Sequence, residues 1–232
     1  MDNIFGVLFG IIAIGIPLFI IGGGVFLLMR LRSSNAISIS YRIVLRVYFY
    51  IVITIGIVII SLGGVASLVN AGFGQIIDPQ FSYGDVYRDH RYDLERIENN
   101  EQINGSSETL QSLNEKLDIE EKSNIINGIS VTLIGLLILG VHLYGRRWVE
   151  SKEESFDSLR KLYFIAGLAI FAVASITSLA SAIPEALRYV LLEVSEGEES
   201  PGMALSVSLV SLPIWAYFLI STIRTMRINE DN

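Results

Sequence analysis

Apolar positions along this chain gather into five long runs, Ile4 to Met29, Val47 to Val69, Ile125 to Leu143, Leu162 to Ile183 and Met203 to Ile223. None of the five contains Asp, Glu, Lys or Arg. A helix needs roughly 20 such residues to cross a hydrocarbon core. Backbone groups in lipid must pair within their own segment, and no alternating pattern points to barrel strands. The pattern therefore predicts an all-α integral membrane protein with five transmembrane helices. The first run lacks a basic start and far exceeds the apolar stretch of a signal peptide, so it reads as a retained anchor.

The segments between the runs carry their own patterns. In 71–124, Tyr87, Arg91, Leu94 and Ile97 share a helical face. The sequence INGSS then breaks the pattern, and Ser107 can cap a second helix in which Leu110, Leu113 and Leu117 recur at three and four. This predicts an extracytoplasmic helical hairpin whose second helix runs into the third span. In 184–196, Pro184 sits at a favourable first helical position. Leu187, Val190, Leu191 and Val194 follow at amphipathic spacing, which predicts a separate helix in the interface or over the bundle.

Two phrases recur. ISVTLIGLLI at 129–138 returns as LSVSLVSLPI at 205–214, with five of ten positions identical at an offset of 76. At an offset of 114, Ser61 aligns with Ser175, Ala66 with Ala180 and Ser67 with Ser181. Spans two and three then form one helical hairpin and spans four and five another, in a parallel repeat related by an axis along the membrane normal. The organisation is an N-terminal anchor and basic loop over 1–42, a first helix pair over 43–149, and a second over 150–232.

The sequences LRKLYF (159–164) and SLPIWAYF (211–218), and more weakly LRVYFY (45–50) and LLILGVHLYGRRW (136–148), carry a resemblance. Over about 45–225 the chain resembles an uncharacterised family of bacterial multi-pass membrane domains built from repeated helix pairs. The first copy departs from that pattern in lacking the Leu-Pro. The resemblance implies the repeated-pair fold and no activity.

Charge adds orientation. Only 18% of the 232 residues are charged, the mean hydropathy is +0.52 and the net charge is -7. Arg30, Arg32, Arg42 and Arg46 follow span one, Arg146, Arg147, Lys152, Arg160 and Lys161 follow span three, and Arg224 and Arg227 follow span five. The opposite segments hold 18 of the 24 acids. The positive-inside rule then places the N-terminus outside and the C-terminus in the cytoplasm, with a bacterial plasma membrane as the simplest host. The absence of cysteine removes disulfides, thiol catalysis and Cys-ligated metals.

Candidate chemistry is sparse. No carboxylate or base lies at mid-membrane, which argues against ion-coupled transport. No Walker loop, GxSxG or HExxH is present, and no catalytic residue, metal site, cofactor or nucleic-acid partner is expected. Small residues favour close helix approach, and Gly6 with Gly10, Gly63 with Ser67, and Ala174, Ser178 and Ala182 are spaced for it. His142 could hold a haem or chlorophyll metal, against the plainer reading of an interfacial hydrogen-bonding residue. Ser61, Ser67, Ser175, Ser178 and Ser181 could line a polar path. Trp215 and Tyr217 lie deep for belt aromatics, which favours interhelical packing over a lipid or pigment contact. Asn104-Gly105-Ser106 is a glycosylation sequon of consequence only in a secretory host.

These features predict a non-enzymatic accessory or scaffold subunit. It would contact membrane lipids, and other membrane subunits through the Ile4 to Met29 helix and the hairpin at 85–122. A passive channel or small-solute transporter is the alternative, and a pigment- or haem-holding subunit is a third reading.

Overall fold

The computed structural model describes residues 41–104, 111–149, 157–192, 197 and 199–227. The first apolar run, with Gly6 and Gly10, lies outside them, as do Ser107 and 193–196. Every described element is a helix. They are α1 (Tyr41–Val58), a π-helical segment (Ile59–Val65), α2 (Ala66–Ile76), α3 (Pro79–Asn104), α4 (Leu113–Val149), α5 (Asp157–Leu191) and α6 (Gly202–Arg227). Four rods are long and apolar enough to cross a membrane: Val44–Ile76, Leu113–Val149, Leu159–Leu191 and Gly202–Arg227.

The starts of α3 and α4 follow from local chemistry. Asp78 Oδ1 accepts the Gln80 N–H at 2.7 Å, with Pro79 between them at the first helical position. Ser112 Oγ accepts the Glu115 N–H at 3.3 Å, the geometry of a Ser-x-x-Glu cap. The cap of the described helix is thus Ser112, five residues beyond Ser107. At 37 residues, α4 is about 55 Å long and outruns a hydrocarbon core of about 30 Å. Its first turns, rich in Glu and Asp, stand clear of the apolar part and pack beside α3, where Lys116 Nζ meets Asp93 Oδ2 at 2.7 Å.

The separate amphipathic helix predicted to begin at Pro184 is absent: α5 continues through Pro184 to Leu191. A proline removes one helical N–H, and here the loss falls on an exposed turn. Leu187, Val190 and Leu191 are the exposed last turns of α5 rather than a surface-lying element.

The rods stack side by side. The 41–76 rod packs along α4 on one side, and α2 and the π segment meet α6 on the other. Among the described residues the most extensive contact joins α5 to α6. The Tyr50 and Tyr163 rings lie 5.2 Å apart, and Tyr48 reaches His142. The start of α1, the end of α4 and the start of α5 therefore share one end, the basic one. At the acidic end, Phe81 of α3 packs edge-on against Phe73 of α2 and Tyr189 of α5. Gly197 takes φ +82° there, and a Cβ on it would press within 2.7 Å of the Gly84 carbonyl and the Arg88 N–H. The lack of a side chain lets the chain at Gly197 come this close to α3.

Candidate helix-packing site

The first interface is built on absent side chains. A Cβ on Gly64 would overlap Thr132 Oγ1 and stand 3.0 Å from the Thr132 backbone nitrogen. A Cβ on Gly128 would stand 2.8 Å from Leu68 Cγ and 3.1 Å from the Gly64 carbonyl. Gly135 receives Ile60 and Gly145 receives Phe49. These pairs descend α4 as they climb the 41–76 rod, so the two run antiparallel in one register, extended at the acidic end by Gln75 to Glu121 at 2.6 Å. Gly128 and Gly135 lie two turns apart, on one face.

The crossing falls on the π segment. There the Ala66 N–H bonds to the Ser61 carbonyl, one residue farther back than in an α-helix. The wider turn carries Gly63-Gly64 against α4 and buried Ser61 within the bundle. Ser61 Oγ donates to the Ile57 carbonyl at 2.6 Å. Such back-bonding satisfies a hydroxyl where no water reaches it.

The second interface is built on serines and rings. Ser175 Oγ donates to Ser211 Oγ at 2.9 Å, and Ser208 Oγ donates to Ser178 Oγ at 2.8 Å. All four serines are buried. Toward the basic end, Phe171 and Phe218 stack at 5.7 Å and 13° between planes. Phe218 lies over Gly167, where any Cβ would collide with its ring. Phe164, Phe171 and Phe218 form the buried cluster, and Ile57, Val58 and Leu62 of the first rod pack against it. Trp215 joins this cluster, while Tyr217 is exposed.

The residues singled out from sequence divide accordingly. Gly63 is exposed, its open position 3.4 Å from Val131 Cγ1, and Ser67 Oγ turns back to the Gly63 carbonyl at 2.6 Å. Ala174 is half-buried, and Ser178 and Ala182 are buried. Of the five serines considered for a polar path, Ser175 and Ser178 bridge α5 to α6. Ser61, Ser67 and Ser181 donate to carbonyls of their own helices. Sequence reasoning passed over Gly64, Gly128, Thr132, Gly135, Ser208 and Ser211. The two-turn glycine spacing on α4, and the matching three-residue spacing of serines on α5 and α6, were the available signals.

His142 has both ring nitrogens engaged: Nδ1 lies 2.6 Å from the Ile138 carbonyl and Nε2 3.0 Å from the Tyr48 hydroxyl. The carbonyl can only accept, so Nδ1 carries a proton, and in the neutral ring Nε2 then accepts from the Tyr48 hydroxyl. Binding a metal would require breaking one of these bonds. Among the described residues no group of three or more His, Cys, Asp or Glu is placed to hold a metal ion.

Where α2, α3 and α6 meet, Asn70 and Ser82 are buried and Ser82 Oγ donates to the Asn70 carbonyl at 2.7 Å. Asn70 Oδ1 and Ser82 Oγ both crowd the start of α6, each 2.7 Å from where a Gly202 Cβ would sit. Burial, then the carboxylates Glu121 and Glu120, push the nearby Tyr83 hydroxyl up to about 12, so it stays neutral.

Comparison of the chain with protein families, curated proteins and solved structures finds no match.

Proposed function

We propose that this chain is a non-catalytic integral membrane subunit that packs helices and lipid within a larger membrane assembly. The observation that carries the reading is α4. Only 11% of its most apolar window is buried, against 33% for the Val44–Ile76 rod. Leu133, Leu137, Val141, Tyr144 and Trp148 are all more than half exposed. A helix so apolar and so little covered has a surface fit for lipid or for another chain. The buried serines Ser175, Ser178, Ser208 and Ser211 bond α5 to α6, which favours this role over a lined path.

In this reading the Ile4 to Met29 run is a fifth span. The acidic end faces outward and the C-terminus lies in the cytoplasm of a bacterial cell. The two helix pairs are copies, as in the bacterial repeated-pair domains that the sequence resembles. Their contacts support the duplication. Shifting the Ser175–Ser211 and Ser178–Ser208 pairs back by the two sequence offsets lands on Ser61–Gly135 and Gly64–Thr132. The second of these is the close crossing of the first pair.

The test is extraction from native membranes in mild detergent, a native gel and mass spectrometry of the band. Other polypeptides migrating with this chain are the expected result. A band holding this chain alone overturns the subunit role.

A further inference from the structure

Inside one chain, α2 and α6 make an antiparallel contact at the acidic half of the bundle. Asn70 meets Gly202, and one turn nearer the middle Ala66 and Ser206 are both 0% exposed. The offsets that relate the two helix pairs carry this contact onto two other surfaces. Ala66 becomes Ala180 of α5 and Ser206 becomes Ser130 of α4; Leu62 and Val69, flanking Ala66 in sequence, become Ile176 and Ile183, and Gly202 and Val210, flanking Ser206, become Ile126 and Ile134. All six of these counterparts are exposed. Each helix pair thus has both halves of the contact, but one chain joins only one half of each.

We infer that a second copy of this chain joins the remaining halves. Its α5, at Ile176, Ala180 and Ile183, docks on α4 of the first copy, at Ile126, Ser130 and Ile134. The contact inside the chain is the template. α5 and α4 run in opposite directions relative to the bundle, as α2 and α6 do, so both copies keep the same orientation in the membrane. Ala180 opposite Ser130 permits the close approach that Ala66 and Ser206 permit. The polar step from Asn70 to Gly202 becomes Pro184 beside Ile126, an apolar pair suited to a contact approached through lipid. The two surfaces differ, so the contact is head-to-tail, the kind that closes a ring in the plane of the membrane when the rotation between copies allows it. The inference rests on the duplication of the helix pairs and is independent of the subunit role.

Because the chain has no cysteine, the test can use single substitutions in the full chain in native membranes. Ser130→Cys and Ala180→Cys chains carrying different tags are produced together and oxidised. The expected result is a linked band at about twice 25.7 kDa that contains both tags and is missing from either variant alone. A chain with both substitutions is expected to give a ladder ending at one closed species. No linkage, with both thiols reacting freely with a lipid-soluble maleimide, overturns the inference, because both positions then face lipid. Linkage of Ser130→Cys to itself overturns it in favour of a symmetric dimer. Thiols shielded from the maleimide but linked only to a cysteine placed between Ile4 and Met29 overturn it in favour of the first apolar run as occupant. None of these outcomes depends on whether other polypeptides are present, so failure here is distinct from failure of the subunit role.

Discussion

The two helix interfaces solve one problem with opposite materials. Where the π segment crosses α4, Gly64 and Gly128 remove side chains, and the backbones close to contact distance. Where α5 crosses α6, paired serines and a stacked Phe171–Phe218 fill the space between. Both run antiparallel, and the sequence offsets of 114 and 76 carry the Ser178–Ser208 pair of one onto Gly64 and Thr132 of the other. The difference teaches that register and chemistry are separable. A helix pair can keep its alignment while trading hydrogen bonds for close approach, since in lipid both serve mainly to bring surfaces together.

The comparison can be broken from either side. The largest effect is expected for Phe218→Ala, which empties the centre of the ring cluster at 1% exposure. Truncating a buried Phe costs about 3 kcal/mol or more, read as a lower midpoint for unfolding in mixed micelles. A variant as stable as the parent would mean the cluster is not holding α5 to α6. Next comes Gly64→Val, whose added atoms meet the Thr132 backbone. Overpacking of this kind costs about 1–3 kcal/mol and should separate the first rod from α4, seen as a longer distance between spin labels. Gly63→Ala, one residue away with 3.4 Å to a side chain, should change that distance little.

A double-mutant cycle on Ser178 and Ser208 sharpens the contrast. Hydrogen bonds between membrane helices average about 0.6 kcal/mol by such cycles, and coupling near that value is expected. Thr132→Val should be neutral or slightly stabilising, because its buried hydroxyl has no hydrogen-bond partner. A clear loss of stability in Thr132→Val would show that the first interface holds a polar bond after all.

The smallest effect lies outside the apolar region. The Lys116 ammonium, by hydrogen bond and by charge, holds the Asp93 carboxyl below its usual range. Its contribution is therefore present at neutral pH and lost as the pH falls through the lowered value. The pair is partly exposed, so the loss should appear in acid as lower protection of the α3 amides relative to their intrinsic exchange rate at that pH, without unfolding of the bundle. Asp93→Asn should show the same lowered protection already at neutral pH.

The residues legible in advance were those acting alone or through near neighbours. The apolar runs 47–69, 125–143, 162–183 and 203–223 each fall within one of the four rods. His142 read more plainly as a hydrogen-bonding residue than as a ligand, and its bonds to Ile138 and Tyr48 lie at the basic end. The helix start assigned to Pro184 did not hold, because a proline on an exposed turn loses one N–H bond without ending a helix held by α6. Gly64 and Gly128 were invisible as a pair, since nothing in either segment names the other.

By itself, then, the sequence determined that the apolar runs 47–69, 125–143, 162–183 and 203–223 are helical and long enough to span. Uncharged apolar runs must close their own hydrogen bonds, and Asp78-Pro79 starts α3 by contacts within two residues. The tertiary structure alone decided that the 41–76 rod lies between α4 and α6, that its π turn meets α4 at glycine, and that α4 is left largely uncovered by the other described helices. Those outcomes depend on shape matching between segments far apart in the chain. Many apolar faces are equally greasy, and only packing ranks them.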